Sequence, residues 1–172
     1  MEVDETRRLI VDQIPQLRRY ARALLGDPDA ADDLVQDSLT RAMDRLHLWR
    51  PGTNMRAWLF SILHNQHVNA ARRRARRPDR VGLEPAHDGL HATPPGQDAG
   101  PAIRDLGRAL AQLSEDQRQV VLLVGLEGLT YAEAAEVLDV PLGTVMSRLN
   151  RGRQRLRELI EAAPAPAIRR IK

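Results

Sequence analysis

A segment rich in proline and glycine divides the chain, and it constrains the possible folds more than any other feature. Between Pro78 and Pro101 there are five prolines, four glycines and little apolar periodicity. A structureless connection of this length is unusual inside one compact domain. We therefore predict a flexible linker over 78–101 between domains at 1–77 and 102–162, followed by a frayed tail at 163–172. Whether the linker does more than connect the domains stays open.

The segment before the linker has apolar residues at the spacing of amphipathic helices. Pro15 would fit the first turn of the first helix, which Gly26 should end. Asp27 followed by Pro28 is typical of a helix start, with an aspartate N-cap and proline at the first helical position. The second helix should then extend to about Leu48. The predicted turn and third helix of this half cover 50–54 and about 55–76.

The segment after the linker contains two patterns typical of capping boxes, in which Ser or Thr is followed three residues later by Glu or Gln. They are Ser114-x-x-Gln117 and Thr130-x-x-Glu133. The predicted helices of this half, before the arginine-rich one, cover about 102–113, 114–126 and 131–138. The chain has five aromatic residues (two Trp, two Tyr and one Phe), so aliphatic side chains must fill its cores. We predict an all-α protein of two small helical domains.

Composition also excludes several classes of function. The chain has no cysteine, so it has no disulfide, thiol nucleophile or cysteine zinc site. The charged start at 1–8 is unlike a secretory signal, and the apolar runs are too short for a membrane span, so we expect a soluble, cytoplasmic protein. We find no nucleophile–base pair and no P-loop, dinucleotide or heme motif, and therefore predict neither enzyme activity nor a cofactor.

Four histidines are possible metal ligands. His64 and His67 share one helical face, while His87 and His91 lie in the linker. Two ligands without a third on a fixed element are weak grounds for a metal site. We predict no metal, and expect polar roles at the surface or beside DNA.

The segment from Leu129 to Leu159 has the pattern of a helix-turn-helix. A short helix leads into Asp-Val-Pro at 139–141, and Ala135 would allow close approach of the two helices. In the second helix an inward stripe of Val145, Leu149, Gly152, Leu156 and Leu159 leaves five arginines outward. A solvated arginine-rich face is the alternative, but the adjoining turn, caps and alanine favour a helix lying in the major groove.

Positions on this helix predict different contacts with DNA. Met146, Ser147, Asn150 and Arg151 face outward near its start, where side chains can contact base edges. Arg148, Arg153 and Arg155 are better placed for phosphates, which position a protein without specifying sequence. Thr130 and Tyr131 should offer backbone N–H groups to a further phosphate.

Three stretches in order resemble a known family. They are "DDLVQDSLTRAM", "GTNMRAWLFSILHN" and the run from "LSEDQRQVV" to "RQRLREL". Together they resemble bacterial RNA polymerase sigma factors of the extracytoplasmic-function (ECF) group, over about 14–160. "PGTNMRAWLF" further resembles the general-stress branch. The resemblance implies sigma region 2 at 1–77 and sigma region 4 at 102–162.

The resemblance assigns the first domain to the polymerase and to the −10 element. An acidic helix would dock on the clamp coiled coil of core RNA polymerase through Asp32, Asp33, Gln36 and Asp37. A loop and the helix after it would capture a flipped base and the single strand. This −10 set comprises Gly52, Thr53, Asn54, Arg56, Trp58, Asn65, Asn69, Arg72, Arg73 and Arg76. For Trp58 and Phe60, a place in the core is the favoured alternative to stacking on bases.

The second domain would bind the −35 element, and an anti-sigma factor would hold the protein inactive. The −35 set comprises Thr130, Tyr131, Thr144, Met146, Ser147, Arg148, Asn150, Arg151, Arg153 and Arg155. Met146 departs from the arginine or lysine often found there, which favours contact with a thymine methyl group. The rival hypothesis is a free-standing helix-turn-helix regulator, which would have no need of the acidic helix or of the "GTNMRAW" loop.

Overall fold

The computed structural model describes residues 2–76 and 100–162, and these fold into helices and turns. The remaining part of the linker, with His87 and His91, and the tail from 163 lie outside the described residues. The α-helices are α1 (Glu2–Leu25), α2 (Pro28–Asp44), α3 (Met55–Ala75), α4 (Pro101–Ala111), α5 (Glu115–Val121), α6 (Tyr131–Leu138) and α7 (Leu142–Glu161). No helix among the described residues is long and apolar enough to cross a membrane.

The helix starts of the first half follow from local capping. The Asp27 carboxylate accepts from the N–H groups of Asp29 and Ala30 at 2.9 and 3.3 Å, and Pro28 takes the first helical position, as predicted. Asn54 caps α3 in the same way, with its side chain accepting from the Ala57 N–H at 3.2 Å.

Two predictions about the ends of these helices were wrong. Pro15 lies inside α1 instead of in its first turn. Although proline removes one helical hydrogen bond, the helix continues ahead of it because Ile10 is buried against the core. The second predicted helix stops at Asp44, and Leu46–Leu48 form a separate 3₁₀ turn.

In the second half, one complete capping box and one wider helical turn shape the chain. Thr130 and Glu133 each accept from the other's backbone N–H, which confirms the predicted box. The helix predicted to reach Leu126 has a π-helical final turn at Leu122–Leu126. There the Glu127 N–H donates to the Leu122 carbonyl at 2.9 Å. This turn ends the helix with Glu127 in a buried position.

The two halves pack against each other, and their buried apolar side chains form one continuous cluster. Helix α3 lies against α6, and α1 lies against the π-helical turn. In the first half, Tyr20 and Phe60 meet edge to face, with ring centroids 5.2 Å apart. In the second, α5 and α6 both pack on α7 around Val145 and Leu149. The architecture is therefore all-α, with two helical domains in contact.

Candidate nucleic-acid and protein interfaces

The helix-turn-helix predicted from the sequence is present, formed by α6 and α7. Asp139 ends α6 in the left-handed region at φ 52°, a conformation that aspartate tolerates better than most residues. Pro141 then occupies the N-cap position of α7, without a side-chain hydrogen bond to the helix. Val145 and Leu149 are buried, as predicted. Ala135 is only partly buried; the fully buried alanine of α6 is its neighbour Ala134.

Gly152 fixes how closely α7 approaches α5. A Cβ atom at this position would lie 2.8 Å from Cγ2 of Val121 and 3.4 Å from Cβ of Gln117. Because 2.8 Å is shorter than van der Waals contact, any larger residue here would require the Val121 side chain to move. The tight packing turns the opposite side of α7 toward solvent.

Most of the predicted −35 contacts lie on that exposed side of α7. Met146 is 52% exposed, and Ser147, Asn150, Arg151 and Arg153 are exposed as well. The guanidinium of Arg151 folds back on the helix, where its Nε donates to the Ser147 carbonyl at 3.3 Å. A row of polar and cationic groups with one apolar member therefore faces outward.

Four other members of the predicted −35 set are half-buried or already have an ion-pair or hydrogen-bond partner. Arg148 is half-buried and pairs with Asp116 of α5 at 2.6 Å, while Arg155 pairs with Glu158 at 3.2 Å. Thr144 is half-buried. The prediction for Thr130 was wrong: its backbone N–H donates to Glu133 at 2.7 Å, because the capping box needs it, and so is not free for a phosphate.

The predicted −10 loop is a tight turn over 50–53. Proline at its second position and Gly52 at its third, with φ 84°, are the signature of a type II turn. The Thr53 N–H closes the turn on the Arg50 carbonyl at 3.1 Å. The turn delivers Asn54 to the start of α3, where its side chain serves as N-cap.

Further along α3, the predicted strand-binding residues are exposed on one face. These residues are Asn65, Asn69, Arg72, Arg73 and Arg76. The aromatic side chains of Trp58 and Phe60 are not exposed on that face. Phe60 is 1% exposed and belongs to the core, which confirms the favoured alternative, and Trp58 is partly buried against the same core.

Asn54 is exposed and Arg56 is half-buried, and carboxylates of the second half contact both. The Asn54 amide donates to the Glu133 carboxylate. Arg56 donates to the Glu127 backbone carbonyl and, at 3.1 Å, to its carboxylate. The guanidinium of Arg56 also lies 5.9 Å from the Phe60 ring centroid, within the range of a cation–π contact.

The acidic helix α2 presents three of its four predicted polymerase contacts to solvent. Asp33, Gln36 and Asp37 are exposed. Asp32 instead pairs with Arg18 at 3.4 Å and Arg22 at 3.2 Å on α1. The exposed pair of carboxylates forms an acidic surface suited to a basic protein partner.

Sequence reasoning missed the charged residues at the contact between the halves. Arg118 is 3% exposed and donates to carbonyls that end α1 and α4, among them Leu24 at 3.0 Å and Leu110 at 3.0 Å. Burial lowers the pKa of Arg118, against the opposing effect of Glu115. One signal was available: Glu127 stands alone among apolar residues in the run from Val120 to Leu129.

Of the two histidines on α3 for which we expected polar roles at the surface or beside DNA, His64 is half-buried and His67 is buried. His67 is 8% exposed, and its Nε2 lies 2.6 Å from the Glu115 carboxylate across the contact between the halves. Burial, followed by the effect of His67, lowers the pKa of His64. No group of three or more metal-ligating side chains occurs among residues 2–76 and 100–162.

Both halves of the chain are similar to known proteins. The family model "Sigma2 domain of PhyR" matches residues 10–64, and "Sigma-70, region 4" matches residues 103–156. The ECF RNA polymerase sigma factor EcfG of Rhodopseudomonas palustris is 39% identical over 161 residues, which cover 91% of this chain and 86% of EcfG. SigC of Mycobacterium tuberculosis is 34% identical, over 83% of this chain and 75% of SigC. The chain belongs to the ECF sigma factors.

A solved structure agrees with that membership. The sigma factor RpoE, crystallised in complex with the anti-sigma factor NepR from Bartonella quintana, is similar at a TM-score of 0.77 and 34% identity. The likeness covers 93% of this chain and 99% of that one. For this ECF sigma factor, the first helical domain corresponds to sigma region 2 and the second to region 4. A free-standing helix-turn-helix regulator is not favoured, because the matched first domain would be superfluous.

Proposed function

We propose that this ECF sigma factor directs core RNA polymerase to a specific set of promoters and helps open their −10 region. Its first domain, 1–77, would hold the polymerase and the −10 strand, and its second, 102–162, the −35 duplex. The observation that carries the proposal is the pairing of an exposed acidic helix in one domain with an exposed recognition helix in the other. It would contribute binding and no catalysis of its own, and would act in the cytoplasm, where the polymerase is.

The −35 duplex would be recognised through the exposed face of α7. Asn150 can bond an adenine and Arg151 a guanine, each pairing contributing about 1–3 kcal/mol of discrimination between bases. The thioether of Met146 has no N–H or O–H to donate, so we expect it to contact a thymine methyl group. Arg153 is placed for a phosphate, whereas Arg148 and Arg155 must first leave their carboxylate partners.

The −10 strand would be held by the turn at 50–53 and by α3. The exposed amides and arginines of α3 would follow the strand's backbone, and the rim formed by Gly52, Thr53, Asn54 and Arg56 would hold a flipped base. With Phe60 in the core and Trp58 half-buried, capture of an extruded base would matter more than stacking on exposed rings.

The exposed carboxylates of α2 would tie the first domain to the clamp coiled coil of the polymerase. Asp33 and Asp37 are one helical turn apart and have no hydrogen-bond or ion-pair partner among the described side chains. They are therefore free to pair with basic side chains across an interface, where charge complementarity speeds association and excludes wrong partners. Asp32 would help keep α2 on α1 through Arg18 and Arg22.

We further propose that an anti-sigma factor controls this protein and that it acts in a stress response. The structurally similar RpoE was solved with the anti-sigma factor NepR, and CnrH, similar at a TM-score of 0.66, with the cytosolic domain of CnrY. The match to the sigma-2 domain of PhyR and the likeness to EcfG favour the general-stress branch.

Transcription in vitro tests the proposal directly. Purified core RNA polymerase, this chain and a library of linear promoter templates should give defined transcripts that core alone does not make. Sequencing the active templates would reveal a shared −35 and −10 pair. If no template supports initiation while the chain alone still binds duplex sites specifically, the protein is a free-standing regulator instead.

A further inference from the structure

The first turn of α7 presents an exposed leucine that is not a member of the predicted −35 set. Leu142 is the first residue of α7, and it is 48% exposed. Met146, four residues later, is 52% exposed. Because residues four apart are neighbours on a helix surface, these two side chains form an apolar strip. The strip lies at the end of α7 that would enter the major groove.

The apolar strip leads into a polar side chain that is proposed to contact a base. Asn150 follows Met146 after four more residues and is exposed as well, so Leu142, Met146 and Asn150 lie along one side of α7. Val145 and Leu149, which lie between them in the chain, are buried against the core. The apolar strip therefore belongs to the solvent side of the helix and extends the row of proposed base contacts by one turn.

The backbone around Leu142 is fixed by local hydrogen bonds and by the turn before it. The N–H groups of Thr144 and Val145 donate to the Pro141 carbonyl at 2.9 and 3.2 Å. At Gly143 a Cβ atom would meet nothing within 4 Å, so the surface beside Leu142 is open. A side chain on a rigid helical turn with open space beside it is suited to contact a base edge with a defined geometry.

The chemistry of leucine limits what it can recognise in the major groove. Thymine presents a C5-methyl group there, whereas the other base edges present hydrogen-bond donors and acceptors. Leucine has no donor or acceptor in its side chain, so against a polar edge it would displace water without replacing the lost hydrogen bonds. An apolar side chain in this place thus favours thymine and disfavours the other bases.

We propose that Leu142 is a further specificity-determining residue of −35 recognition, and that it contacts the methyl group of one thymine while Met146 contacts that of another. Four residues of helix rise about 6 Å, and successive bases of one strand are about 3.4 Å apart. With α7 along the groove, the two thymines should lie within about two base steps of each other. The inference rests on the proposed function for the binding of duplex DNA by α7.

Removal of single methyl groups from the DNA tests the contacts without polymerase. Random duplexes compete for the full-length protein, and sequencing of the bound fraction gives a preferred duplex. Each thymine of that duplex is then replaced, one at a time, by deoxyuridine, which pairs with adenine but lacks the C5-methyl group. Loss of one buried methyl group should weaken binding by the unchanged chain about fourfold. We expect two neighbouring positions to respond in this way.

Protein variants then assign each methyl group to a side chain. Leu142→Ala should bind the thymine and deoxyuridine duplexes equally at one of the two positions and keep the response at the other, and Met146→Ala should give the reverse. Leu142→Met keeps an apolar side chain and should retain both responses. Ile160→Ala is the matched control, because it removes an exposed aliphatic side chain at the far end of α7, and it should change neither response.

Three outcomes overturn the inference. They are the absence of any preferred duplex, a preferred duplex in which no thymine responds to deoxyuridine, or a response that Leu142→Ala leaves intact. Circular dichroism identifies a variant that fails to fold, and Leu142→Ser then takes the place of Leu142→Ala. Because the binding needs no polymerase, a chain that recognises both methyl groups yet directs no transcription refutes only the proposed function. Transcription from templates whose −35 thymines tolerate deoxyuridine refutes only the inference.

Discussion

The two proposed DNA-binding surfaces of this sigma factor differ in how much of each is accessible. On α7, the side chains placed for the −35 duplex project into solvent, with Met146 52% exposed. At the −10 loop, Asn54 and Arg56 contact carboxylates of the other domain. Duplex −35 DNA is available in a closed promoter, whereas the −10 single strand is available only after the promoter opens. The −35 surface is therefore open to solvent, whereas two residues of the proposed −10 rim already have partners in the other domain.

The two domains also differ in how their cores are packed. The first is built around an edge-to-face pair of Tyr20 and Phe60. The second has an aliphatic core, in which α7 approaches α5 closely at Gly152. Substitutions confined to one region should therefore change one activity and leave the other.

The largest effect is expected from reversing the charge of the acidic helix. Asp33→Arg combined with Asp37→Arg places cations against the basic partner, where like charges cost several kcal/mol. Association with core polymerase should weaken on the order of a hundredfold or more, since about 1.4 kcal/mol is tenfold. Affinity for duplex −35 DNA should barely change. Asp12→Arg with Asp44→Arg is the control, and loss of both activities would point to misfolding.

A second test concerns the packing of the second domain. Gly152→Ala puts a methyl group within 2.8 Å of Val121, and overpacking of this kind typically costs about 1–3 kcal/mol. Urea unfolding should show that loss. Gly143→Ala, which meets nothing within 4 Å, should be neutral or stabilising by about 0.5–1 kcal/mol. Equal stability of the two variants would mean that α5 and α7 do not approach as described.

A third test separates base contacts from phosphate contacts on α7. Arg151→Ala should lose about 1–3 kcal/mol of discrimination at one −35 base pair. Arg153→Ala should instead weaken binding to all sequences alike and reduce its salt dependence. Competition binding against single-base variants of the duplex measures both, and uniform weakening by Arg151→Ala contradicts its proposed role.

The smallest effect concerns pH and the junction between the regions. Burial lowers the pKa of His64 below its ordinary 6.5, so the unfolded chain takes up the proton first as pH falls. The free energy of unfolding should thus decrease as pH drops below about 6.5 and be unaffected by His64 above it. Glu115, Asp116, His67 and Arg148 are the charged or titratable groups that act on it.

The variant His64→Gln isolates this contribution, because the other groups at the junction remain. Between pH 7.5 and 5.5, the unchanged chain should lose more stability to urea than the variant does. Parallel pH profiles would show that His64 is not held neutral by the fold.

Helices, caps and the helix-turn-helix followed from the sequence because the interactions that make them are local. Asp27 with Pro28, and Thr130 with Glu133, lie within one helical turn, so residue type and spacing are enough to identify them. Pro15 was one exception, and the end of α2 was another. Local rules place proline at a helix start, but burial of Ile10, a tertiary contact, carried the helix past it.

Residue type and spacing were enough to predict two helical domains and an arginine-rich exposed face on α7. How the domains meet depends on tertiary contacts. Glu127 pairs with Arg19 and Arg56, which are 108 and 71 residues away, and no periodicity encodes a contact at such separation. In the sequence, Glu127 is one acid among apolar residues, and packing makes it the buried partner of two arginines.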